Sequence, residues 1–361
     1  MIKLCVNFCE LSNFLSFSIL TSYNLSIKEH FMISTWLTKT FDIKYPIILA
    51  PMFLVSNNKM LIEAYKNGII GCIPALNYRT PEEFEEALKE LQDKCQGKFG
   101  VNLIVNKSNI HLKNQLEVLV RNPPAFVITS LGSPEETIRL LKPKGVKIFC
   151  DVVDVEYSKK VEKLGADALI AVNSGAGGHA GNIPASILVP MLREQCKLPV
   201  ISAGGVGTGA GLLSTLALGA EGVSIGSPFI ATMESGVSQE YKQAVIDYGA
   251  ENIVMTTKIS GSPCSVIETP YVKKIGVDQN FLESFLSQNK TAKKYVKMLT
   301  YYKGMKAVEK AAFAATYKTV WVAGPSIEFI HKIETIQSIV ERLIAEYQKT
   351  HDEVCSRNQR P

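Results

Sequence analysis

The stretch Asn173-Ser174-Gly175-Ala176-Gly177-Gly178-His179-Ala180-Gly181 is followed, roughly 25 residues later, by a second glycine-rich stretch, Ser202-Ala203-Gly204-Gly205-Val206-Gly207. Each comes directly after an apolar run that is typical of a buried strand. Backbone can approach a ligand closely only where no Cβ intervenes, and a strand that passes through glycines into a helix leaves several N–H groups pointing at an anion. The two stretches therefore predict a phosphate-binding site beside a single histidine.

The surrounding chain repeats one pattern, in which apolar, β-branched runs are followed by helix-like segments. The predicted strands are Pro46–Ala50, Ile69–Ala75, Phe99–Val105, Ala125–Thr129, Val146–Val152, Ala166–Val172, Leu198–Ser202 and Gly222–Ile225. The predicted helices are Pro81–Lys94, His111–Arg121, Pro134–Leu141, Glu156–Leu164, Pro184–Glu194 and Gly209–Leu218. Continuous hydrophobicity is typical of parallel strands covered on both faces, so eight such units predict a (β/α)8 TIM barrel. An open doubly wound sheet is the competing interpretation.

A chain of 361 residues is long enough for such a barrel and roughly a hundred further residues. We expect the barrel over residues 32–239, a C-terminal helical cap that covers the substrate over residues 240–350, and a tail over residues 351–361. Residues 1–31 lack the pattern of a signal peptide, because Asn7, Glu10 and Asn13 interrupt their apolar region. They are predicted to be a disordered or spurious extension.

Composition excludes several classes of function. The net charge of +5 is modest, and the lysines of the predicted cap alternate with acidic and apolar residues, which is typical of a solvated helix face and not of a nucleic-acid surface. No run reaches the roughly 18 apolar residues of a membrane helix. The eight cysteines show no CxxC or zinc spacing, which favours a reduced, cytoplasmic protein. Only Cys264, in a Gly/Pro loop, is a candidate reactive thiol.

His179 is the candidate catalytic residue among the five histidines. It follows the sixth predicted strand, so it lies at the C-terminal mouth of the barrel, where catalytic groups of this fold are carried. Its glycine neighbours leave little packing around it, which favours a functional role over a structural one. No second histidine or carboxylate cluster accompanies it, so we expect no metal.

The second glycine stretch also fits the dinucleotide fingerprint GxGxxA, as Gly205-Val206-Gly207-Thr208-Gly209-Ala210. That fingerprint normally opens a βαβ unit with an acidic residue about 20 residues later, whereas this stretch belongs to the seventh unit and no suitable acid follows. In a barrel the loops after strands seven and eight form a phosphate site. We therefore assign the predicted phosphate contacts to Gly204, Gly205, Gly226 and Ser227.

Five segments together resemble the nitronate monooxygenase (2-nitropropane dioxygenase) family of FMN-dependent barrels, over about Tyr45 to Thr269. They are Ala50-Pro51-Met52, Phe99-Gly100-Val101-Asn102, Gly177-Gly178-His179-Ala180-Gly181, Ala203-Gly204-Gly205 and Gly226-Ser227-Pro228-Phe229. The superfamily also contains flavin-dependent enoyl-acyl-carrier-protein reductases and NADH:quinone reductases. The motif GGHxG followed in order by two phosphate loops is fairly specific to it.

The resemblance implies that FMN lies across the barrel mouth and that His179 is the catalytic base. The implied cofactor-binding residues are Pro51, Met52, Asn102, Gly177, Gly178, Ala203, Gly204, Gly205, Gly226 and Ser227. Two positions depart from the family pattern: Ser227-Pro228 stands where many members have a threonine-arginine pair, and Asp151 stands where a neutral or basic neighbour of the flavin is expected.

The implied reaction is oxidation of an alkyl nitronate with consumption of O2, because an imidazole can take a proton from carbon beside a nitro group at neutral pH. The main alternative is NAD(P)H-dependent reduction of an enoyl thioester or quinone on the same fold, with NAD(P)H as co-substrate. Two alternatives come from other functional classes: a sugar-phosphate isomerase or lyase, and a flavin-binding protein without turnover. The expected partners are small molecules, without nucleic acid or membrane, and a homodimer is left open.

Overall fold

The computed structural model describes residues 32–106, 109–257, 263–277 and 320–357. Its strands are β1 (Ile47–Leu49), β2 (Ile70–Pro74), β3 (Gly100–Ile104), β4 (Phe126–Ser130), β5 (Lys147–Val152), β6 (Ala168–Val172), β7 (Gly178–His179), β8 (Val200–Ala203), β9 (Gly222–Ile225), β10 (Ile253–Thr256) and β11 (Cys264–Ile267). Its helices are α1 (Trp36–Phe41), α2 (Asn58–Lys66), α3 (Pro81–Lys94), α4 (Leu112–Arg121), α5 (Glu135–Leu141), α6 (Val155–Leu164), α7 (Ala185–Gln195), α8 (Gly209–Ala217), α9 (Gln239–Asp247), α10 (Pro270–Ile275) and α11 (Ile336–Arg357).

Eight parallel strands close into a barrel in the order β1-β2-β3-β4-β5-β6-β8-β9, and β9 pairs back onto β1 with Ile48 opposite Ser224. The predicted TIM barrel is thus confirmed, and the open sheet is excluded. The predicted strands all lie within a few residues of the observed ones, because strands buried on both faces are continuous apolar runs. Helix α2, between β1 and β2, was not predicted.

The amino-terminal end of the barrel is closed by a cluster of aromatic side chains. Helix α1 precedes β1 and contributes Trp36 and Phe41, which meet Phe126 of β4 and Phe149 of β5. The rings of Phe126 and Phe149 stack with their centroids 4.9 Å apart, and the ring of Phe41 lies 5.3 Å from that of Phe126. We call these four residues the aromatic plug. It leaves the carboxyl ends of the strands as the open end of the barrel.

The chain leaves the barrel after β9 and returns to it with α11. Ile339, Val340 and Leu343 of this helix are buried in the same core cluster as the side chains between the strands and the outer helices. Glu346 accepts a hydrogen bond from the backbone N–H of Gly209, at 2.7 Å, at the start of α8. The division into a barrel over residues 32–239 and a cap over residues 240–350 stays a prediction, but α11 packs on the barrel wall.

Strands β10 and β11, which lie between β9 and α11, form a small antiparallel sheet with β7 from the loop after β6, in the order β10-β11-β7. This sheet covers the barrel mouth, and its residues His179 and Cys264 line the cavity there. The predicted extension, residues 1–31, the loop residues Gly261 and Ser262, and most of the lysine-rich stretch lie outside the described residues. None of the helices in the described part is both long and apolar enough to cross a membrane.

Candidate active site

A cavity of about 600 Å³ opens at the carboxyl ends of the barrel strands. Every residue that the sequence analysis assigned to the site lines it: Pro51, Met52, Asn102, Gly177, Gly178, His179, Ala203, Gly204, Gly205, Gly226 and Ser227. Residues from beyond the last barrel strand, including Tyr241, Pro263 and Val322, line it as well. The structure therefore brings the predicted set together, while the role of each residue stays a prediction.

The two glycine stretches bind each other through their backbones. The N–H of Gly205 donates to the carbonyl of Gly175 at 2.9 Å. Gly204 has φ +116°, and a Cβ at this position would collide with the backbone of Ala176. These loops therefore need glycine at residue 204 for their own packing, before any ligand is considered.

Asn173, at the end of β6, fixes the same two loops and was missed as a site residue. Its side-chain amide donates to the carbonyl of Gly204 at 3.0 Å, and its Oδ1 accepts from the N–H of Gly175 at 2.8 Å. The side chain is only 2 % exposed. The signal available in the sequence was its place as the first residue of the glycine-rich stretch, where a short amide side chain typically binds turn backbone.

Gly205 differs from Gly204 because the space beside it is open. A Cβ on Gly205 would have no heavy atom closer than 3.8 Å, although its φ of +79° disfavours any side chain. A phosphate group needs open space at this point, and any side chain on residue 205 would occupy it. The N–H of Gly205 already donates to the carbonyl of Gly175, so it is not a donor to a phosphate. Gly205 instead leaves the space that a phosphate would occupy.

Ser227 begins a short 3-10 helix, Ser227–Phe229, directly after β9. Its hydroxyl oxygen accepts a hydrogen bond from the N–H of Gly324 at 2.9 Å, so its proton can still be donated elsewhere. Gly324 also packs against the backbone of Gly175 and Gly177 so closely that a Cβ would not fit. Together these contacts join the two glycine loops to the returning chain, and they fit the phosphate end of FMN.

His179 is held on the edge of the small sheet. Strand β7 pairs with β11, with His179 opposite Cys264 and Gly178 opposite Ser265. Burial lowers the pKa of His179 below its ordinary value of 6.5, because removing water penalises the charged imidazolium. The imidazole is therefore neutral at neutral pH, which is the form that can accept a proton.

Cys264 does not meet the requirement for a reactive thiol. Its side chain is 2 % exposed, and burial raises the pKa of the thiol to about 12. A nucleophilic cysteine must be a thiolate near neutral pH, so this residue acts as a small apolar side chain in the cavity wall.

A hydrogen-bonded row of side chains crosses the ends of β3, β4 and β5. The Asn102 amide donates to the hydroxyl of Ser130 at 2.7 Å and to the carbonyl of Ile128 at 3.2 Å, and Ser130 donates to Asp151 at 2.5 Å. All three polar side chains line the cavity. Burial raises the pKa of the Asp151 carboxyl to about 6, and the Ser130 hydrogen bond opposes that rise.

The loop that carries Pro51 and Met52 is fixed by Ser56 and Asn77. Ser56 accepts from the N–H of Met52 at 2.9 Å and donates to the carbonyl of Ala50 at 2.8 Å. Asn77 accepts from the N–H of Leu54 at 2.9 Å, where the chain takes a left-handed turn with φ +57°. These bonds hold the loop after β1 in place at the edge of the cavity.

The charge of the cavity is unusual for a site that would hold a phosphate. No lysine or arginine is present among its described lining residues, which include the carboxyl groups of Asp151 and Asp154 and the imidazole of His179. The described part of the chain also contains no cluster of histidine, cysteine and carboxylate groups suited to a metal ion.

The sequence of residues 108–346 matches the family model described as nitronate monooxygenase. The chain belongs to the nitronate monooxygenase family. This confirms the resemblance seen in the sequence, and it makes the protein an oxidoreductase. Because the match extends to residue 346, it includes both glycine loops, the covering sheet and the first half of α11.

Curated relatives agree with this assignment to the nitronate monooxygenase family. A probable nitronate monooxygenase of Staphylococcus saprophyticus is 29 % identical over 303 residues, covering 71 % of this chain and 85 % of that protein. The (3aS,4S,5R,7aS)-5-hydroxy-7a-methyl-1-oxo-octahydro-1H-indene-4-carboxyl-CoA dehydrogenase of Rhodococcus jostii is 28 % identical over 241 residues, which is 67 % of each chain.

Solved structures share the architecture. FabK from Thermotoga maritima superposes with a TM-score of 0.79 at 26 % identity, covering 90 % of this chain and 99 % of that one. The nitroalkane oxidase of Streptomyces ansochromogenes superposes with a TM-score of 0.71 at 24 % identity, over 88 % of this chain and 99 % of that one. The second likeness supports the fold alone.

Proposed function

We propose that the protein is an FMN-dependent nitronate monooxygenase, which oxidises alkyl nitronates with O2, leaves the carbon as a carbonyl compound and releases the nitrogen as nitrite. The observation that carries the proposal is the neutral, half-buried imidazole of His179 in the same cavity as the open glycine cradle at Gly205. The family assignment supports this chemistry class.

The residues present fit the cofactor. Gly204, Gly205, Gly226 and Ser227 would hold the phosphate, and Pro51, Met52, Asn102 and Gly177 would surround the flavin ring. When bound, FMN would supply the redox chemistry, as electron acceptor for the substrate and electron donor to O2. The amide of Asn102 is oriented for this task, because both of its N–H groups bind Ile128 and Ser130, which leaves its oxygen for the cavity.

His179 would take the proton from the carbon beside the nitro group of a neutral nitroalkane. Its position on a paired strand holds the imidazole at the cavity wall, and burial keeps it in the accepting form. After the transfer, the imidazolium stands beside the nitronate that it has created. The covering sheet and the chain at residues 320–326 contribute Cys264, Val322 and Ser326 to the cavity wall, where less water around the pair would strengthen that attraction.

An absorbance spectrum of the purified protein, followed by anaerobic mixing with propionate-3-nitronate or with NADH, tests the proposal. We expect a flavin spectrum that is bleached by the nitronate and restored by air. A colourless protein, or a flavin that the nitronate does not bleach, would contradict the proposal.

A second candidate is NAD(P)H-dependent reduction of a thioester or quinone by the same cavity. It is favoured by the Rhodococcus jostii relative, whose name specifies a carboxyl-CoA substrate, and by the exposed apolar side chains of Leu131 and Val153 in the cavity wall. NADH oxidation that depends on such an acceptor, with no bleaching by nitronate, would select this candidate.

A further inference from the structure

The Asp151 carboxyl is a charged group within the substrate cavity that the proposed reaction does not use. It lies at the end of β5, and only β6 separates its strand from β8, which leads into the glycine cradle. In the closed barrel, His179 follows β6 and Asp151 ends the neighbouring strand, so both face the same mouth. The carboxyl therefore lies at the cavity mouth, three strands away from β9 and the loop that follows it.

The carboxyl is held in place by one donor. Ser130 donates to one of its oxygens, and the Ser130 oxygen in turn accepts from Asn102, so the hydroxyl proton has a fixed direction. A single hydrogen bond is weak compensation for a buried carboxylate, because a fully satisfied one accepts two or three. The pKa of Asp151 is accordingly raised to about 6.

The groups that face Asp151 from neighbouring elements do not neutralise it. Burial raises the pKa values of the Cys72 thiol on β2, the Cys150 thiol on β5 and the Tyr157 phenol on α6, so all three are uncharged at neutral pH. The side chain of β4 that meets Asp151 is the Ser130 hydroxyl, and the residues of β6 on this side, Ile170 and Val172, do not titrate. His179 is neutral there as well, and the described cavity lining offers no lysine or arginine.

We propose that Asp151 sets the charge preference of the substrate site: its carboxylate disfavours substrates that arrive as anions and favours neutral nitro compounds, whose anion is then formed beside His179. When an anion binds near pH 6 or below, Asp151 takes a proton from solvent onto its carboxylate and becomes a neutral acid, whereas at pH 8 the carboxylate stays charged and opposes binding. The inference rests on the proposed function only in taking this cavity as the substrate site.

The test uses two unreactive probes of the same shape, isobutyrate as the anion and isobutyramide as the neutral form. Their binding to the flavin-loaded protein is measured by ligand-observed NMR between pH 5 and pH 8. In the unaltered protein, isobutyrate should bind more weakly as the pH rises through about 6. Asp151→Asn should bind isobutyrate about tenfold more tightly at pH 8, which is the effect of a unit charge roughly 10 Å away at an effective dielectric constant of about 20. The two proteins should converge at pH 5, and isobutyramide should bind equally to both.

Two further variants separate charge from structure. Asp154→Asn makes the same chemical change in the same cavity lining, but Asp154 is exposed and caps α6 by accepting from the N–H of Tyr157 at 2.8 Å, a role that asparagine keeps. It should change isobutyrate binding by less than about twofold, because water screens the exposed carboxylate. Ser130→Ala removes the donor that lowers the pKa of Asp151, so the drop in isobutyrate affinity should move to higher pH.

Equal affinity of Asp151→Asn and the unaltered protein for isobutyrate at pH 8 would overturn the inference, as would an equal change for isobutyramide. These outcomes are independent of the proposed reaction. A protein that shows the charge preference but does not oxidise nitro compounds would refute the proposed function and leave the role of Asp151 standing.

Discussion

The two ends of the barrel use glycine in opposite ways. At the closed end, a Cβ on Gly100 would overlap the ring of Phe126, and a Cβ on Gly222 would lie 2.6 Å from Leu37. Large neighbouring side chains therefore occupy the space beside these glycines. At the mouth, the space beside Gly205 stays open. The same residue type therefore permits dense packing at one end and leaves room for a ligand at the other.

This difference shows that one end of the barrel contributes mainly to stability and the other mainly to chemistry. The aromatic plug carries no titratable group and contributes stability, because three of its four rings, Phe41, Phe126 and Phe149, are buried and large buried rings dominate core energetics. The mouth carries titratable groups, left-handed residues such as Leu54 and Leu131, and a cavity, all of which cost stability. Substitutions at the mouth should therefore change chemistry with little effect on folding, and substitutions at the plug should do the reverse.

The largest effect is expected at the mouth, for His179→Asn. Turnover of neutral 2-nitropropane should fall by roughly 10²- to 10⁴-fold, the range for loss of a general base. Turnover of the preformed nitronate should fall less, because it has already lost its proton. Steady-state kinetics on both substrates, with the flavin spectrum as a check of occupancy, measure the contrast; equal losses on both would show that His179 acts in binding or redox chemistry.

The converse change is Phe126→Ala in the aromatic plug. We expect the free energy of unfolding to fall by about 3–5 kcal/mol, the usual cost of emptying a buried aromatic site, while the kcat of the folded protein on nitronate stays within about twofold. Denaturant unfolding measures the stability. Leu131→Ala is the matched control at the mouth, because Leu131 is 39 % exposed, and it should cost less than about 0.5 kcal/mol. A mouth variant as costly as the plug variant would break the comparison.

Much of the fold and of the site could be predicted because the decisive signals are local. Strands such as β4 and β6 are continuous apolar runs, and the positions of the glycine loops follow from the strands that precede them. In a closed parallel barrel all carboxyl ends meet at one mouth, so Pro51, Asn102 and Ser227, far apart in sequence, had to converge.

What could not be predicted depends on contacts between distant segments. Strand β7 has only two residues and exists because β11 pairs with it, so His179 could be placed at the mouth but not on a strand. The role of α11 as part of the barrel wall follows from its packing on α8, and nothing in its own periodicity distinguishes it from a cap helix. The sequence shows Asp151 as a departure from the family pattern, but its hydrogen bond with Ser130 could be predicted only from the register of β4 against β5.

Gly205→Leu tests the open space at the mouth directly. The leucine should extend into the cradle and weaken FMN binding at least about tenfold in a protein that still folds, whereas Gly145→Leu should keep its FMN. The control matches because Gly145 also has a left-handed backbone, with φ +83°, and no atom within 4 Å, but lies exposed before β5. Both variants carry the backbone strain of roughly 1–2 kcal/mol, so that strain cancels in the comparison. Fluorescence titration of the flavin-free proteins with FMN gives the affinities, and full occupancy of Gly205→Leu would remove this loop from the cofactor site.

The smallest effect concerns the pH at which the mouth loses its base. Burial lowers the pKa of His179 below 6.5, so more than half of the imidazole is neutral at pH 6.5. The kcat/KM for neutral 2-nitropropane should therefore change by less than about twofold between pH 7.5 and pH 6.5, and fall about tenfold per pH unit only below the lowered pKa. Asp151 titrates near pH 6, so the profile should be repeated with Asp151→Asn, where a limb due to His179 persists. The preformed nitronate needs no base and should not show this acid limb. A midpoint at or above 6.5 would mean that the imidazole is solvated in the working enzyme, and the mouth would then not provide the dry surroundings that the comparison with the plug assigns to it.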